Sequence, residues 1–121
     1  MNRVSFGGAS PRARALRGVV LGTLATFVSL AAHAASVATV DINKFMFMPM
    51  EITVAPGTTV RWINHDETPH TVISRDKTKL FVSKAMDTDD KFEFVFAKEG
   101  DYTYVCSVHP FMTGVVHVRK Q

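Results

Sequence analysis

The sequence has one cysteine, Cys106, and one tryptophan, Trp62. A single cysteine excludes an internal disulfide, the staple that small exported domains commonly use. Its thiol is an unused buried group, half of an intermolecular bridge, or a ligand. Long apolar runs are also missing. The most apolar stretch, Gly18 to Ala32, falls short of the roughly 20 residues a bilayer-spanning helix needs. There are no repeats, no low-complexity tract and no internal linker, and 121 residues allow one domain, which excludes a large multidomain enzyme. Acids are absent from residues 1–34, which carry Arg3, Arg12, Arg14 and Arg17. The remaining residues hold ten Lys+Arg against eleven Asp+Glu, so the formal net charge of +3 belongs to one end and residues 35–121 carry −1. A basic nucleic-acid surface is excluded as a default.

What the N-terminal segment does have is a basic region, an apolar stretch and Ala32-His33-Ala34, a small-x-small cleavage site. Residues 1–34 are expected to be a signal peptide cleaved after Ala34, in preference to a retained anchor. No adjacent arginines mark a twin-arginine route. Residues 35–121 are then an exported, periplasmic domain large enough for one hydrophobic core, with no stable membrane insertion expected.

Along that domain the dominant signal is short alternating runs punctuated by turn residues. Val40 and Ile42 alternate with Asp41 and Asn43, then the phase slips, because Phe45 and Phe47 are odd-numbered; a bulge or bend near Lys44 is the simplest account. Pro56-Gly57 reads as a type II turn. Val60 and Trp62, then Phe92, Phe94 and Phe96, then Tyr102, Tyr104 and Cys106, each share one strand face. Residues 76–90 are charged and irregular, with room for one helical turn. Seven or eight strands predict an all-β fold, an antiparallel β-sandwich with aromatics between the sheets.

The chemistry gathers late in the chain. Cys106, His109 and Met112 stand at C-x2-H-x2-M, and His70 begins a strand far upstream. A thiolate, two imidazoles and a thioether are the donor set of a blue-copper site, a His2Cys plane with a long axial Met. A strand end fixes Cys106, the short loop wraps His109 and Met112 about one point, and Gly114 lets the chain turn into the last strand. Pro69 and Pro110 stiffen the chain beside the proposed ligands. Zinc is the nearest competitor but takes a carboxylate, a second Cys or water more readily than Met, and a Cys–His nucleophilic pair fits so small a chain poorly. His65 is expected to be solvated and His117 to face water or a sheet edge. Met46, Met48 and Met50 alternate along an extended stretch, where three thioethers on one face suit Cu(I). They motivate a second reading, a copper-binding or copper-delivery protein with no redox relay.

Phe45-x-Phe47-x-Pro49, Val54-x-Pro56-Gly57, Val60-x-Trp62-x-Asn64, Pro69-His70-Thr71-Val72, Gly100-x-Tyr102-x-Tyr104-x-Cys106 and His109-Pro110-Phe111-Met112-x-Gly114 span most of residues 35–121. Together they resemble the cupredoxins, the small blue-copper proteins, and among them the amicyanin branch with its short Cys-to-Met loop. The resemblance implies a Greek-key sandwich, one type 1 copper per chain and one-electron shuttling rather than catalysis. It implies equatorial ligands His70, Cys106 and His109 and axial Met112. It further implies a monomer serving redox proteins, with a periplasmic dehydrogenase as donor and a c-type cytochrome as acceptor. His109 would be the electron port, collared by Pro69, Pro110, Phe111 and Met48. One departure stands out: relatives carry Asn after the first His, where this chain has Thr71, a shorter brace toward Ser107.

Overall fold

The computed structural model describes residues 35–121, together with residues 7, 8, 18, 22 and 26–29. The Ala32-His33-Ala34 cleavage site and the arginines preceding it lie outside the described residues. Eight strands follow one another: β1 (Val37–Asn43), β2 (Met46–Met48), β3 (Glu51–Val54), β4 (Thr58–Asn64), β5 (Ile73–Ser74), β6 (Lys91–Phe96), β7 (Gly100–Val105) and β8 (Thr113–Val118). They form two four-stranded sheets, ordered β2-β1-β4-β6 and β3-β8-β7-β5. The fold is the all-β sandwich that the alternation predicted. Among the described residues, no helix is long and apolar enough to cross a membrane.

The pairing is mixed rather than wholly antiparallel. β1 lies parallel to β4, and β3 parallel to β8. Alternation in a sequence reports which side of a strand is buried and is blind to strand direction. Between β1 and β4 the chain crosses to the other sheet to make β3, so β4 returns alongside β1 in the same sense.

The phase slip at Lys44 is a hairpin turn and not a bulge. Asn43 pairs with Met46, leaving Lys44 and Phe45 as a two-residue turn. Both have positive φ, 52° and 58°, the type I′ signature. Neither is glycine, so each carries a cost of about 1–2 kcal/mol in that region. The Asp66 carboxylate offsets it by accepting both turn amides, Lys44 N–H at 2.7 Å and Phe45 N–H at 2.9 Å. Gly57, at φ 88°, completes the type II turn after Pro56. Residues 76–90 contain no helical turn; the segment folds back through isolated bridges that pair Val82 with Ile73 and Met86 with His70.

The space between the sheets is filled by Trp62, Tyr104, Phe96, Phe81 and the inward Val and Ile residues of β1, β4 and β8. Trp62 stacks on Phe81 with ring centroids 5.8 Å apart and meets Tyr104 edge-on at 5.3 Å. Burial pushes the pKa of the Tyr104 hydroxyl up to about 12. Gly114 lies within β8 and is required for space rather than for turning. A Cβ there would fall 2.3 Å from the Tyr104 ring, and Tyr104 is fully buried and cannot retreat. Gly114 thus lets β8 close onto β7 next to the Cys106 loop.

On the outer face of the second sheet, His117 joins three strands. Its Nδ1 meets Asp101 on β7 at 2.7 Å and its Nε2 meets Glu51 on β3 at 3.1 Å. The hydrogen bonds to Asp101 and then Glu51 raise its pKa above the usual 6.5. A raised folded-state pKa gives stability that is fully present below the unfolded value and is lost as pH rises through the folded one. His117→Gln should therefore lower the thermal midpoint more at pH 6 than at pH 9; an equal loss at both would show that the imidazolium adds nothing.

Candidate metal centre

Cys106 directly follows β7 and is fully buried. The loop after it is closed by its own backbone. Cys106 N–H donates to the Met112 carbonyl at 3.0 Å, and Met112 N–H donates to the His109 carbonyl at 2.9 Å. His70, also fully buried, is held by a two-way bridge to Met86. The fold brings these distant segments to one end of the sandwich. Sγ of Cys106 lies 3.9 Å from His70 Nδ1 and 3.7 Å from His109 Nδ1. All three donor atoms fall within 4.8 Å of one another. Metal–nitrogen and metal–sulfur bonds of about 2.0–2.3 Å, meeting near trigonal angles, span separations of this size. Met112, which closes the same loop, is buried at 2% exposure.

The protonation states suit a metal. Burial alone would raise the Cys106 thiol, but the Thr71 N–H, the His70 ring and the His109 backbone and ring outweigh it and bring the thiol down to about 6 from 9.0. The shift favours the thiolate, the form that binds metal. His70 Nε2–H donates to Asp66 Oδ2 at 2.8 Å, which leaves Nδ1 as the ring atom that faces the sulfur. Burial tends to raise Asp66, yet the Phe45 amide, the His70 ring and the Lys44 amide prevail and hold its carboxyl below the ordinary 3.8.

Thr71 sits where the missing Asn would be. Its N–H points at Cys106 Sγ (3.4 Å), and its hydroxyl meets Ser107 Oγ and accepts from Ser107 N–H, both at 2.9 Å. Around the site Pro69, Pro110 and Phe111 are exposed, and the Phe111 ring lies 6.0 Å from that of His109. Met48 points outward from β2, while Met46 and Met50 line the groove beside Phe111. His65 binds Asp41 instead, at 2.8 Å.

Three contributors were given no role at the site by the sequence reading. Asp66 is one; it lies in a polar loop, where no periodicity tells which residue will face His70. Asn64 is another. Fully buried at the end of β4, its Nδ2 donates to the Thr68 and Met86 carbonyls, and its Oδ1 accepts from Asp66 N–H, so it shapes the loop that carries Asp66. Phe45 is the third, perpendicular to both imidazoles with centroids 5.2 Å from His70 and 5.1 Å from His109. The sequence showed it only as a phase slip at Lys44 and as part of the Phe45-x-Phe47-x-Pro49 motif.

The family described as the Cupredoxin-like domain matches residues 17–118. This chain belongs to the cupredoxin-like family. The amicyanin of Paracoccus versutus is 34% identical over 82 residues, covering 65% of this chain and 62% of that protein. The chain thus spans a little over three fifths of the length of the amicyanins it matches. Among solved structures, a purple cupredoxin from Nitrosopumilus maritimus superposes with a TM-score of 0.63 at 36% identity, covering 68% of this chain and 99% of that one. A reduced tryptophan-to-tyrosine variant of amicyanin superposes at 0.66 and 31% identity, covering 71% and 85%. In this cupredoxin His70, Cys106, His109 and Met112 form an arrangement suited to a single type 1 copper. The Met112 thioether, added to a thiolate and two imidazoles, favours copper over zinc.

Because Asp66 fixes the His70 tautomer and the hairpin that carries Phe45, Asp66→Ala should weaken copper binding by about 10–100-fold, the usual scale for loss of a ligand's hydrogen-bond partner. Competition with a chelator of known affinity measures this, and an unchanged affinity would remove Asp66 from the site.

Proposed function

We propose that this cupredoxin is a periplasmic electron carrier in which His70, Cys106, His109 and Met112 would hold one type 1 copper. The carrying observation is the convergence of three donor atoms within 4.8 Å, two from one short loop and the third from His70, 36 residues before Cys106. When bound, copper supplies a one-electron couple between Cu(II) and Cu(I). The chain supplies the rest. The contacts that lower the Cys106 thiol favour the thiolate that a metal needs, so binding there displaces its proton more readily than from an ordinary thiol. The Asp66 bond and the backbone bridge to Met86 hold His70 in one orientation. Phe45 packs edge-on against both rings. A site held this way resists rearrangement when its charge changes, which suits outer-sphere transfer.

His109 is half-buried, whereas His70 is fully enclosed, so His109 is the port. Val108 and Phe111 flank it at 60% and 71% exposure, an apolar rim for brief encounters with redox proteins. With −1 on residues 35–121, long-range steering is modest. The donor is a periplasmic dehydrogenase and the acceptor a c-type cytochrome, by likeness to amicyanins; the protein acts as a monomer and catalyses no reaction of its own. Export rests on the N-terminal sequence, with residues 1–34 removed.

Adding Cu(II) to the apoprotein should produce an intense visible thiolate-to-copper band that saturates at one equivalent and is missing in Cys106→Ser. A colourless product would end the proposal. Phe111→Glu should leave that band in place and slow reduction by the physiological donor about tenfold, the effect of ~1.4 kcal/mol of lost docking energy; equal rates would move the docking face elsewhere.

A further inference from the structure

The face beside the copper site carries sulfur that the site does not use. Along β2, Phe47 is buried at 2% exposure, while Met46 and Met48 face out at 46% and 45%. After Pro49 the chain crosses to the second sheet. The Met50 carbonyl accepts the Val115 N–H of β8 at 2.9 Å, which fixes Met50 beside the strand that follows Met112. The crossing leaves a groove of about 320 Å³ lined by Phe45, Met46, Met50, Phe111, Met112 and Thr113. Met48 is not among the lining residues. The alternating row of three methionines is therefore divided, and two of them share a groove with Met112.

We propose that this groove is a landing site for monovalent copper, with the Met46 and Met50 thioethers as donors next to Met112. The proposal rests on the copper reading above for the metal the protein meets. Thioethers are soft and select Cu(I) over Zn(II). They carry no proton to lose, so uptake does not depend on pH as it does at a thiolate or imidazole. Methionine side chains have three rotatable bonds and converge without backbone movement. The Phe45 and Phe111 walls are apolar, which penalises a divalent ion more than a monovalent one. Lys44 also lines the groove and is its one repulsive group toward a cation.

A methionine-lined groove also suits adaptable protein docking, and the two roles separate experimentally. Holoprotein loaded with one Cu(I) and labelled with 13C at the methionine methyls is titrated anaerobically with further Cu(I). The Met46 and Met50 methyl resonances should shift and saturate at one added equivalent, the Met48 resonance should stay, and Zn(II) should move none of them. The shift should persist from pH 8 to pH 5.5. A Met46→Leu, Met50→Leu double variant should keep the blue band while taking up the second equivalent at least about tenfold more weakly, the scale of ~1.4 kcal/mol of binding. Lys44→Gln should tighten uptake severalfold. Unmoved methyls, equal movement of Met48, or undiminished uptake in the double variant would overturn the landing site. A missing blue band in the unaltered protein would overturn the buried-site reading instead, and absorption reports that separately from the methyl signals.

Discussion

One carboxylate ties the metal end of the molecule together. Asp66 accepts the Lys44 and Phe45 amides and the His70 ring N–H. The first two bonds stabilise a turn whose residues both sit in a region that side chains other than glycine avoid; the third orients an imidazole. Because Phe45 leans on both imidazoles, the same group sets the ring and the cover over it. Asn64 sets Asp66 in turn, from the end of the most buried strand of the first sheet. The order of dependence runs from core to loop to carboxylate to imidazole.

The second anchor is local. Cys106, His109 and Met112 lie in one loop that closes on itself through two backbone bonds, so its shape owes little to distant parts of the chain. The distant part supplies His70 and Thr71, and the Thr71 N–H and hydroxyl reach the sulfur and Ser107. The amide lowers the thiol and the hydroxyl pins the residue after it. The same few bonds therefore decide both where the sulfur stands and whether it is charged.

Much of this was legible in the sequence, for reasons that differ from residue to residue. Trp62, Tyr104 and Cys106 declare inward faces because a strand's period is two. Cys106, His109 and Met112 declare themselves by donor type and spacing, and Pro56-Gly57 by turn chemistry. Strand direction was not legible, since β1 and β4 bury the same kinds of residue whether they run together or opposed. The turn at Lys44 and Phe45 was visible only as a slip of phase, because Asn-Gly or Asp-Gly, the usual mark of such a turn, is missing there. Asp66 was hidden for a deeper reason: loops have no repeat, and which polar residue faces a ligand is fixed only when the whole loop is built. Gly114 was visible but read for the wrong property. It stands in a strand and makes room for the Tyr104 ring.

The division of the donors between one compact loop and one remote histidine reaches beyond the folded protein. Even before the sheets assemble, the Cys106–Met112 stretch presents a thiol, an imidazole and a thioether within chelating reach of one another. A denatured chain therefore competes with the native one for metal, and ligand binding to both states stabilises folding by less than native affinity alone would suggest. Much of the metal's preference for the native state falls to His70, the one nitrogen donor that only the finished sandwich can deliver.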